Sequence, residues 1–125
     1  FRDSAGKLID FRLYHNNAGV SITTAKWTNS TTYSAVYVNY QGTYGAINDI
    51  FGRQDVWFAI SDDATNLKFY WSIDGLPGHW KLFDTRSRTD FFVAGPNAYG
   101  TASYTYGNAV ELAVISLEET TSGTP

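Results

Sequence analysis

The sequence predicts an all-β antiparallel fold, a sandwich or barrel, on three observations. Apolar and polar residues alternate with a period of two along most of the chain, while helical periodicity is almost absent. Gly, Asn, Asp and Thr interrupt these alternating stretches about every 8–12 residues, the spacing of short strands joined by turns. The 125 residues suffice for one domain, and 43% hydrophobic against 17% charged residues supplies a single core.

Taken in order, Ile9, Phe11 and Leu13 share one face of a first strand, with Asp10, Arg12 and Tyr14 opposite. Residues 20–27 and 33–40 are weaker strand candidates. The segment 46–52, "AINDIFG", offers one helical turn that Asn48 or Asp49 could cap. Val56, Phe58 and Ile60 then form an apolar face opposite Trp57 and Ala59. Leu67, Phe69, Trp71 and Ile73 repeat the pattern, with Lys68, Tyr70 and Ser72 on the wetter side. Further strands are expected at 80–83, 90–94 and 98–106. A final strand follows at 109–118, "AVELAVISLE", whose phase flips between Val114 and Ile115, as a β-bulge or cover on both faces would cause. The expectation is eight to ten short strands in one domain over 1–118, with 119–125 as a polar tail.

Asp74-Gly75 after an alternating strand is a turn signal, since Gly tolerates positive φ and Asp bonds its own backbone. Pro77-Gly78 lengthens the turn, and His79-Trp80-Lys81-Leu82-Phe83 restarts the alternation. The stretch is therefore a hairpin. Trp80 and Leu82 are expected on one face, which leaves Trp80 either in the core or at the edge of a ligand site.

Residues 56–83, "VWFAISDDATNLKFYWSIDGLPGHWKLF", resemble the concanavalin A-like lectin/glucanase group. The shared pattern is a strand with Trp, a loop of Asp and Asn, a strand ending Ser-x-Asp-Gly, then Trp. "FFVAGPNAYGTASYTYG" followed by "AVELAVISLE" is similar to the late strands of that fold, so the resemblance covers residues 56–118. It implies an antiparallel jelly-roll β-sandwich. Variants of the pattern are frequent in bacteriophage tail and capsid-decorating proteins, which implies a virion-surface location beside other virion proteins and a homo-oligomeric assembly. The same fold carries lectins, hydrolases and structural modules, so function must be argued from a site.

Composition narrows the partners. Net charge is −3 and the nine basic residues are scattered, with Arg86-Ser-Arg88 the nearest approach to a cluster. A nucleic-acid partner, which needs clustered cations, is not expected. The chain lacks cysteine, so it has no disulfide framework or thiol nucleophile. No apolar run approaches the ~20 residues that span a bilayer, and membrane insertion is not expected. The start at Phe1 and the absence of Met lead us to expect a piece of a longer chain.

Catalysis is not expected. Glycoside hydrolysis needs two carboxylates flanking the sugar bond. Glucanases of the group that the chain resembles carry them on alternate residues of one strand, a run missing here. The glutamates are Glu111, Glu118 and Glu119, and the Asp62-Asp63 pair suits a turn. No nucleophile elbow, P-loop or His-Glu-x-x-His motif is present. Asp62, Asp63, Asn66 and Asp74 could together offer oxygen ligands to calcium, but the turn role explains the first three; no metal or cofactor is assigned. Asn29-Ser30-Thr31 matches a glycosylation sequon.

Sugar binding requires an aromatic platform and short polar side chains. Three loops carry both: Tyr40, Gln41 and Tyr44 in "NYQGTYG", Asn97 and Tyr99 in "GPNAYG" with Tyr104 and Tyr106 following on one strand face, and Asp74, His79 and Trp80 in the hairpin. The expected ligand is a cell-surface or mucosal glycan. The alternatives are a purely structural assembly domain using the same aromatics, and a glycoside hydrolase-like enzyme.

Overall fold

The structure, a computed structural model, describes residues 1–16, 19–41 and 56–100. Six strands form two antiparallel sheets: β1 (Leu8–Asn16), β2 (Gly19–Asn29) and β3 (Thr32–Gln41) in one, β4 (Trp57–Asp62), β5 (Asn66–Ser72) and β6 (Lys81–Ser87) in the other. Each sheet is a meander in chain order. The described residues contain no helix. The expected helical turn at 46–52 and the strands expected beyond residue 100 lie outside the described residues.

The sheets are held by a shared aromatic layer. Phe11 of β1 meets Phe58, Phe69 and Phe83 of the other sheet, with ring centroids 4.6, 5.6 and 5.3 Å apart. Ile9, Leu67, Phe69 and Phe92 form the buried cluster beside it. The predicted alternation is thus correct for Ile9, Phe11, Leu67 and Phe69. A polar link crosses between the sheets: Thr24 Oγ1 donates to Asp84 Oδ2 at 2.6 Å, with both residues buried. Arg86 closes on the same carboxylate through Nε and Nη2, each at 3.0 Å, and lies over the Tyr37 ring of β3.

The structure corrects several expectations. Leu13 and Ile73, expected on the core faces of their strands, are exposed, and Ile73 lies past the end of β5. Leu82 does not share a core face; it is 57% exposed. The β5–β6 register shifts between Phe69 and Tyr70, which pair with Asp84 and Leu82 respectively. Phe83 is the extra residue of that bulge, and it turns inward onto Phe11. Residues 90–94 form bends rather than the expected strand. Two of their carbonyls find side-chain donors instead of a ladder: Phe91 O accepts from Lys7 Nζ and Ala94 O from Arg88, whose Nη2 also donates to Pro96 O just beyond.

Candidate functional site

β5 ends in a tight turn built by its own side chains. Ser72, buried although alternation assigns it to the wetter face, donates its hydroxyl to Asp74 Oδ1 and accepts the Asp74 and Gly75 N–H groups. Asp74 Oδ1 also accepts Leu76 N–H, and Leu76 O accepts His79 N–H. Gly75, at φ 70°, closely approaches Trp57; a Cβ there would stand 2.9 Å from the indole Cδ2. Gly78, at φ 82°, makes the second bend. Together the two bends bring Asp74 and His79, five residues apart, into contact: His79 Nδ1 faces Asp74 Oδ2 at 2.6 Å. The imidazole beside it, then the Leu76 amide, hold the Asp74 carboxyl below its ordinary range.

Ile73, Asp74, Gly78, His79, Trp80 and Lys81 line an open cleft of about 340 Å³ at this hairpin. Trp80 is half-buried and stands just before β6, so it borders the cleft rather than filling the core. The Lys81 ammonium lies 5.3 Å from the Trp71 ring centroid. The cleft can offer an indole, an aliphatic side chain, an imidazole and an ammonium to one small polar molecule.

The predicted site residues divide. Asp74, His79 and Trp80, the three candidates of the hairpin, meet at the cleft. The spacing Asp-Gly-x-x-Gly-His places two glycine bends between the acid and the imidazole. Asn97 and Tyr99 lie elsewhere. Asn97 N–H bonds Arg2 O, and Arg88 ties Pro96 to Asp62, beyond the Asn66 end of β5. The cleft sits past the Ser72 end, so the length of β5, about 20 Å, separates the two groups. Tyr99 is exposed there. Gln41 closes β3 opposite Ser21, and Tyr44 lies outside the described residues.

The oxygen ligands considered for calcium are divided by the same strand. Asp62 Oδ1 accepts Ala64 N–H, and Asp63 Oδ1 accepts the Thr65 and Asn66 N–H groups, so both acids build the β4–β5 turn. Asp63 Oδ2 pairs with Lys68 at 2.9 Å, and Asp62 with Arg88 at 2.8 Å. Asp74 is at the other end. Among the described residues no group of three or more His, Asp or Glu could hold a metal ion. In the sequon, Asn29 Oδ1 accepts the N–H and hydroxyl of Thr31 in the β2–β3 turn.

No protein-family model, curated protein or solved structure matches this chain.

Proposed function

We propose that this chain is a non-catalytic, carbohydrate-binding module of jelly-roll topology, carried on a virion surface such as a phage tail or capsid appendage. The observation that supports it is the meeting of Trp80, His79 and Asp74 on one solvent-open cleft of about 340 Å³. An indole face suits the apolar side of a pyranose, and the polar groups beside it suit its hydroxyls. The virion context rests on the resemblance of residues 56–118 to the concanavalin A-like pattern. The commitment of Asp62 and Asp63 to a turn favours binding over hydrolysis at that pair. Millimolar affinity at one site amounts to only about 4 kcal/mol, so the module works through many copies in a homo-oligomeric particle.

A multimerised form of the protein tested on a glycan array decides the matter. Trp80→Ala removes the indole and is expected to abolish the signal; equal signal from both proteins rejects the cleft as the sugar site. A second reading, assembly without sugar binding, is favoured by the exposure of Val93 at 87% and Leu82 at 57%. Under that reading, Leu82→Ser and Val93→Ser disrupt assembly with the neighbouring subunit, and no glycan binds.

A further inference from the structure

We infer that His79, rather than Asp74, is the polar group which the cleft presents to its ligand, and that Asp74 fixes whether that group accepts or donates. The inference rests on the sugar-binding reading and deepens it. Both Asp74 oxygens are engaged within the hairpin: Oδ1 accepts the Ser72 hydroxyl and the Leu76 N–H, and Oδ2 faces His79 Nδ1 at 2.6 Å. A carboxylate only accepts, so the proton of the neutral imidazole sits on Nδ1. Nε2 is then left as an acceptor on a side chain that is 56% exposed and borders the cleft. Asp74 on the turn and Lys81 on β6 are the other charged groups lining the cleft among the described residues. Asp74 is thus a positioning residue, and Lys81 is a pure donor.

One acceptor and one donor beside an indole match a neutral glycan, whose hydroxyls give a proton to Nε2 and take one from Lys81. A glycan carboxylate has no proton for Nε2 and meets its lone pair instead. Asp74→Asn reverses this polarity without removing the turn. The Asn Oδ1 can accept from Ser72 and Leu76 as before, while its Nδ2 donates to His79 Nδ1. That moves the imidazole proton to Nε2, which becomes a donor and favours an acidic sugar.

The test is long-range ¹H–¹⁵N NMR of the imidazoles at alkaline pH, easily assigned because the chain has two histidines. The expected result is an Nδ1–H tautomer for His79 in the wild type and an Nε2–H tautomer in Asp74→Asn. Methyl glucoside and methyl glucuronide serve as probes, read by shifts of the His79 resonances. Wild type is expected to prefer the glucoside, and Asp74→Asn to move that preference toward the glucuronide by about 3- to 10-fold, the worth of one hydrogen bond. An Nε2–H tautomer in the wild type overturns the inference without needing any variant or sugar. The expected tautomers with no response to either glycoside overturn the sugar-binding reading instead, and with it the recognition role of His79.

Discussion

Asp84 is the strongest test of how the two sheets hold together. Its side chain is 5% exposed and accepts from Thr24 of the opposite sheet and twice from Arg86. Asp84→Ala strands two donors. The Thr24 hydroxyl, on a residue with no exposed surface, loses its partner at a cost of about 1–3 kcal/mol. The Arg86 guanidinium loses its counter-ion. It keeps the Tyr37 ring 4.3 Å away and is 27% exposed, so its share falls below the ~3–5 kcal/mol of a fully buried broken pair. The sum is about 3–5 kcal/mol. A chain of this length unfolds with an entropy of about 0.26 kcal/mol per kelvin, so Tm should fall by roughly 10–20 °C. The assay is calorimetry on wild type, Asp84→Ala, Thr24→Val and the double variant. Because Thr24→Val removes the stranded hydroxyl, the double variant should be more stable than the two single losses added together, by about 1 kcal/mol or more. A Tm drop under about 5 °C for Asp84→Ala, or strict additivity, would refute the buried bridge.

Three further outcomes follow from the turns. Lys68 chiefly, then the Asn66 and Thr65 amides, depress the Asp63 carboxyl from 3.8 to about 2, so its stabilising share is complete above 3.8 and is lost as pH falls through about 2. Asp63→Asn should therefore show a shallower fall of Tm across that window than wild type; parallel curves would remove Asp63 from the acid response. Gly75→Ala meets a positive φ and the Trp57 indole together and should cost about 1–3 kcal/mol in urea unfolding, whereas an unchanged midpoint would contradict the close approach. Ala64 holds φ 67° in the β4–β5 turn, and replacing it with glycine should gain about 1 kcal/mol; a loss would mean that its methyl group makes a contact outweighing the strain.

Alternation located the paired core residues because burial of one sheet face imposes it directly: Leu67 and Phe69 are buried in the positions that the rhythm assigns them. It failed at Leu82 because a bulge inserts Phe83, and nothing in a local pattern marks which strand carries the extra residue. It failed at Ser72 because a hydroxyl that satisfies turn amides can be buried where an unbonded one cannot. At 90–94 the expected strand gives way to bends, and the Phe91 and Ala94 carbonyls accept from the side chains of Lys7 and Arg88 instead of a ladder.

For the site, local chemistry was legible and assembly was not. Asp74-Gly75 announced the turn, and Trp80 announced an aromatic beside it. Asn97 and Tyr99 looked equivalent in composition, yet their loop is anchored at the opposite end of β5. The sequence by itself determined the β architecture of the described residues, the Asp74-Gly75 turn and the buried face that carries Leu67 and Phe69, since these depend on neighbours within a few residues. Only the tertiary structure decided which loops share an end of the sheets, where the bulge turns a side chain, and that His79 reaches Asp74. Those outcomes depend on strand length, register and cross-sheet packing, which join residues that the order of the chain keeps apart.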